Sequence, residues 1–177
     1  MVFLVGCDHY LQEYELTESN DELRKLERKT KEQFYELSKE IIRGEQIQFI
    51  GEECMPNQKT IPRVLASELG CNHAEIDMPL EERAKRGIER NYQELGEAVR
   101  DRVYAMREEY MVERIYSESS PEMRKLIICG AEHIKGLHAR LAERGERIAL
   151  RDMTQEDWVL EIYRKKEELI LGPRNKR

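Results

Sequence analysis

No apolar stretch in this 177-residue chain approaches the ~20 residues that cross a bilayer, so no membrane span is expected. Its four cysteines, Cys7, Cys54, Cys71 and Cys129, contain no CxxC pair, which excludes a zinc knuckle built on that spacing. Met1 to Val5 lacks a positive leader, a long apolar core and a cleavage site, and reads as a strand instead of an export signal. Disulfides are therefore not expected, and the cysteines read first as small buried packing residues. A cytoplasmic setting follows. Positive charge is not in excess: a net charge of −6 gives nucleic acid no general electrostatic reason to bind. The basic run Arg174 to Arg177 is too short to alter that.

No internal repeat and no low-complexity linker divides the chain, which is long enough for one domain, residues 1–177, with a real core. Apolar residues make up 40% and charged residues 37%, a balance that suits a folded, helix-rich protein. Val2 to Val5 predicts the first strand. Ser19 or Asn20 caps a helix to about Arg43, with Leu23, Leu26, Phe34, Leu37, Ile41 and Ile42 on one stripe, and Gly44 stops it. Ile47 to Ile50 predicts a second strand ending at Gly51. Thr60 caps a helix over Ile61 to Leu69, closed by Gly70. His73 to Asp77 predicts a short third strand.

Pro79 opens a long charged helical region reaching about Ser117, with Gly87 and Gly96 marking a break; Ile88, Leu95, Val99, Val103, Met106, Tyr110, Met111 and Ile115 are its apolar members. A helical turn at Glu122 to Arg124, a strand at Leu126 to Cys129, a helix over Ile134 to Arg144, a strand at Arg147 to Leu150 and a terminal helix ending near Gly172-Pro173 follow. Strands alternate with helices, which predicts an α/β fold: a mostly parallel central sheet flanked by helices, with a long helical segment in the middle.

Within that frame the most informative feature is a repeated tetrapeptide. Gly-x-x-His follows an apolar strand at Gly6 to His9 and again at Gly130 to His133. Each Gly reads as the residue that lets the chain turn, leaving the His to point into the crevice beyond the strand ends. In a parallel sheet those ends share one edge, which would gather Asp8 and His9, Glu52 and Glu53, Asp77, and Glu132 and His133. Convergent carboxylates and imidazoles can hold a divalent metal or divide base and acid roles. Glu52 and Glu53 point opposite ways if the strand continues, and the sequence does not say which one faces the crevice. His73 precedes its strand's end and is expected at the opposite edge; His138 is expected on the surface. His133 is expected at the mouth of its strand, where its replacement opens no core cavity. Arg107 lies one helical turn before Met111, so it is expected to reach a carboxylate in the crevice while Met111 is buried.

The order Gly-x-x-His, Glu52-Glu53, Arg107-x-x-x-Met111, Gly-x-x-His resembles the superfamily that includes the TraB and Tiki proteins, the haem-uptake protein ChaN and the erythromycin esterases. The resemblance implies an α/β fold with these polar residues clustered in one pocket. Tiki members are described as metal-dependent proteases and the esterase branch as hydrolases that need no metal.

The resulting expectation is a hydrolase pocket lined by His9, Glu52, Glu53, Arg107 and His133. His9, Glu52, Glu53 and His133 would hold a divalent metal ion or activate water directly. The substrate would be a small molecule or a peptide, cleaved at a peptide, ester or amide bond. One rival is a non-catalytic relative that binds a ligand or partner protein as a regulatory component. Another is a cysteine enzyme with Cys7 or Cys129 as nucleophile and His9 or His133 as base.

Overall fold

Along each central strand successive side chains point to opposite faces of the sheet, and the apolar residues at the chain's strands supply both. In the computed structural model, which describes residues 1–54, 56–88 and 91–171 (without the side chains of 170 and 171), the strands are β1 (Val2–Cys7), β2 (Phe49–Glu52), β3 (Asn72–Glu75), β4 (Lys125–Gly130) and β5 (Ile148–Asp152). They form a single five-stranded parallel sheet in the order β3-β2-β4-β1-β5. The helices are α1 (His9–Gln12), α2 (Asp21–Gly44), α3 (Ile61–Leu69), α4 (Leu80–Lys85), α5 (Glu97–Glu118), α6 (Ile134–Glu143) and α7 (Asp157–Leu171). The α/β class read from the alternation is the fold observed. No described helix is long and apolar enough to cross a membrane. The expected helix end near Gly172-Pro173 and the basic run beyond it lie outside the described residues.

Two apolar layers sandwich the sheet. Val5, Ile50, Leu126 and Ile128 pack under Phe34 and Ile42 of α2, Leu65 of α3 and Val159 of α7. Leu4, Phe49, Ile127 and Cys129 pack under Met111, Val112 and Ile115 of α5 and Leu137 and Leu141 of α6. Fully burying each large apolar side chain contributes about 1.5–3 kcal/mol. Local signals set the ends: the Asn20 side chain accepts from Glu22 N and Leu23 N at the start of α2, Thr60 caps α3, and Gly70 closes it at φ +71°.

Several boundaries differ from expectation. Gly44 remains helical, and α2 is ended by Gln46 at φ +52° while Ile47 N still bonds back to Ile42 O. The strand therefore starts only at Phe49 and carries Gly51 and Glu52 into the sheet, paired on both sides. The third strand stops at Glu75, leaving Asp77 in the loop beyond it. The long charged region is two helices and a 3-10 turn (Tyr92–Glu94), broken as expected where Gly87 and Gly96 take φ +70° and +95°. Leu95 and Val99 stay exposed at that junction. Glu122 to Arg124 forms a turn, not a helix.

The glycines of the two motifs act differently from expectation too. Gly6 lies inside β1, paired with Cys129, and Gly130 ends β4 at φ −57°, ψ 141°; neither needs left-handed backbone. Gly6 gives room: a Cβ there would sit 1.9 Å from Ile134 Cδ1.

The connection after β1 enters α2 on one face, and that after the neighbouring β4 enters α6 on the other. Such a reversal leaves a crevice beyond the strand ends. His9 and His133 flank it.

Candidate active site

Glu53 follows β2 directly and, by strand alternation, projects to the α5 face. It is buried, and its two oxygens are claimed from several directions. Oε2 accepts the Gly130 N–H at 2.7 Å. Oε1 lies 2.5 Å from Arg107 Nη2, 3.4 Å from His133 Nε2 and 3.7 Å from His9 Nε2. The structure thus brings His9, Glu53, Arg107 and His133 together.

Burial opposes the charge on Glu53, but His133, Arg107, His9 and the Gly130 N–H outweigh it and hold the carboxyl below its ordinary range. Arg107 answers two acids: its Nε and Nη2 donate to Asp77 Oδ1 at 3.1 and 2.9 Å, and Nη1 donates to the Tyr92 hydroxyl at 3.1 Å. Burial works against the guanidinium, and Asp77 and Glu53 more than restore it, so it stays charged. Met111, one turn on, is buried among Val112, Ile115 and the sheet.

His133 is 0% exposed, which corrects the expectation that it stands at an open strand mouth. The 3-10 turn Ala131–His133 folds it back under α5, where Tyr104 meets its ring edge-on at 4.8 Å and Nδ1 lies 3.2 Å from Glu108 Oε1. Glu108 is in turn 3.7 Å from Arg140 Nε. His133 Nε2 has no hydrogen-bond partner, its approach to Glu53 being misaligned. His9, by contrast, has 54% of its side chain exposed. It is the imidazole open to a ligand.

Glu52 is not in this cluster. It points to the α3 face, where Thr60 Oγ1 donates to its Oε2 at 2.7 Å and His73 Nε2 lies 2.9 Å away. His73 is therefore Glu52's partner on the same sheet face, not a residue of the far edge; its register opposite Ile50 places it one step along the same side. His138 is exposed. Asp8 receives the Tyr163 hydroxyl, and Glu132 is exposed at the rim.

A cleft of about 310 Å³ opens over this cluster, lined by His9, Glu53, Arg107, Tyr92, Gln58 and Glu132 among others. Tyr92, Glu108 and Gln12 were missed by the sequence reading. Glu108 had one available signal: it adjoins Arg107 on the helix face that Met111 marks as inward.

The donor set fits a divalent cation poorly. Both Glu53 oxygens are already taken by a guanidinium and a backbone N–H, Glu52 faces away, and a cation at Glu53 would meet the fixed charge of Arg107. Among the described residues no group of three or more His, Cys, Asp or Glu is arranged to hold a metal ion. Cys7 and Cys129 are fully buried, and burial pushes both thiols well up, which disfavours either as a nucleophile; burial with Glu52 and Glu75 also raises Cys54. No family model, curated protein or solved structure matches this chain.

Proposed function

We propose that this protein is a metal-independent hydrolase of a small-molecule or peptide substrate bearing an ester, amide or peptide bond. The observation that carries the reading is the convergence of two imidazoles on one buried, ionised carboxylate oxygen, with only His9 reaching open space. In this reading His9 Nε2 takes a proton from a water molecule as the water oxygen bonds to the substrate carbonyl carbon. Glu53, 3.7 Å away, stabilises the imidazolium that forms. The same proton then passes to the leaving group as its bond to the carbonyl carbon breaks. Arg107 keeps Glu53 ionised and aimed, and His133, clamped by Glu108, fixes its other side. The resemblance of the two Gly-x-x-His motifs, Glu53 and Arg107-x-x-x-Met111 to the TraB, Tiki and erythromycin-esterase superfamily supports the same class, and of its branches the metal-free one suits these donors better.

The test is hydrolysis of a panel of chromogenic esters, amides and peptides by the purified protein, with and without chelator. Chelator-resistant turnover abolished by His9→Ala is the expected result. Turnover that needs added metal, or that survives His9→Ala, overturns the reading. A non-catalytic ligand-binding role is the second reading, favoured by the full engagement of Arg107, which leaves it occupied by Asp77, Glu53 and Tyr92. An inert panel with a ligand that raises the melting temperature through the cleft would favour it.

A further inference from the structure

We infer that Gln12 is a positioning residue that fixes the tautomer of His9, making Nε2 the free base in the cleft. Gln12 lies one helical turn after His9 in α1 and is 1% exposed, so each of its amide atoms needs a partner. One end of the amide faces two acceptors, the Glu53 backbone oxygen at 3.0 Å and Glu52 Oε1 at 2.9 Å. Only the nitrogen can satisfy both, and that choice fixes which atom is at the other end. The amide oxygen then lies 3.4 Å from His9 Nδ1 and 3.5 Å from Cys7 Sγ.

An oxygen there requires a donor. Cys7, kept as a thiol by burial, is a weak one; His9 Nδ1–H is the strong one. Glu53 Oε1 does not compete for that proton, since at 3.7 Å it is beyond hydrogen-bond reach of Nε2 and already accepts from Arg107. With the Nδ1 proton held on Gln12, the ring's lone pair is at Nε2, open to the cleft. The arrangement also gives Glu52 a purpose. It is outside the cleft, yet it is the anchor that orients the amide that orients His9. Free histidine prefers the opposite, Nε2–H form, so the amide reverses the ring's own bias.

The catalytic meaning of this tautomer rests on the hydrolase reading; the tautomer itself does not. Long-range proton–nitrogen NMR on ¹⁵N-labelled protein, at a pH where the ring is neutral, reads which nitrogen carries the proton, with His9 assigned by the signals lost in His9→Asn. The expected result is Nδ1–H as the majority form in the wild type and a reversal to majority Nε2–H in Gln12→Met. Gln12→Asn, which withdraws the amide by one methylene, serves where Gln12→Met does not fold. A wild-type majority of Nε2–H, or an Nδ1–H majority that persists in a folded Gln12 variant, overturns the proposal. An inert substrate panel alongside the expected tautomer would sink hydrolysis and leave the assignment of Gln12 standing.

Discussion

Arg107 Nη2 lies 2.5 Å from Glu53 Oε1, joining the middle of α5 to the end of β2 across 54 positions of sequence. Both side chains are nearly inaccessible, at 7% and 1% exposed. Deleting one member of such a pair leaves an uncompensated buried charge, a loss of about 3–5 kcal/mol. Arg107→Met, which leaves Glu53 and Asp77 without their cation, is expected to fall in that range. Arg107→Lys should recover only part, because an ammonium cannot reproduce the planar fork that spans Asp77, Glu53 and Tyr92. Urea unfolding of both variants checks this; a change within 0.5 kcal/mol in Arg107→Met, the ~0.5 kcal/mol scale of ordinary surface substitutions, would contradict it.

The two histidines should separate under alanine substitution. His9 is half exposed and supports no core packing, so His9→Ala is expected to abolish turnover with the smaller loss of stability, about 1 kcal/mol, from the Gln12 amide oxygen left without its donor. His133 is sealed beneath Tyr104 and Glu108. Its loss opens a cavity and strips Glu108 of a partner, so His133→Ala should destabilise by about 1–3 kcal/mol as well. Activity and melting temperature measured on the same preparations distinguish the two; equal stability losses would mean the exposure difference has no energetic consequence.

The adjacent carboxylates should separate as well. Glu53→Gln keeps the shape but removes the charge that Arg107, His133 and His9 converge on, and loss of activity is expected. Glu52→Gln keeps only one of the two oxygens that Thr60 and the Gln12 amide use, but it touches the cleft only through Gln12 and His9, so its effect on activity should be smaller than that of Glu53→Gln. Kinetics on the best substrate of the panel provide the comparison, and reversed sensitivities would place the reactive face on the α3 side.

Gly136 tests the support behind His133. A Cβ there would lie 1.8 Å from Glu108 Oε2, so Gly136→Ala must push the Glu108 carboxylate away from His133. Ala ordinarily stabilises a helix interior by up to ~1 kcal/mol relative to Gly. Here that gain is expected to be cancelled and activity lowered. Full activity with a raised melting temperature would show that Glu108 gives way freely.

Acid stability has its own reporter far from the cleft. Burial of Glu27 would raise its pKa, yet Thr17 N–H, Glu18 N–H, the Lys31 ammonium and the Thr17 hydroxyl together lower it from 4.5 to about 2. A depressed folded-state pKa contributes stability above the unfolded value, and that contribution drains away as pH falls from about 4.5 towards 2. Glu27→Gln should be less stable than wild type at neutral pH, with the gap narrowing across that window. Thermal melts at a series of pH values measure it, and a pH-independent gap would assign the effect to packing alone.

Much of this protein was legible in one dimension. The alternation of apolar runs with amphipathic segments is fixed by side-chain period, so it determined the α/β class, the positions of α3 and α5, and the break at Gly87 and Gly96. The strand-end placement of His9, Glu53 and His133 followed from the same pattern, because parallel strands expose their ends on one edge.

Tertiary structure decided the rest. Strand alternation sends Glu52 and Glu53 to opposite faces, and which of them meets the cleft was decided by the docking of α5 and α6 on the Phe49 face of the sheet. The burial of His133 depends on α5 lying over the turn after β4, a packing contact that no local spacing encodes. The strand order β3-β2-β4-β1-β5 puts β4 between β2 and β1, and only this insertion brings residues from three strand ends to one carboxylate oxygen. Sequence period determines which way a side chain leaves its own strand; the neighbour it then meets is chosen by strand order and helix docking, which are properties of the whole chain.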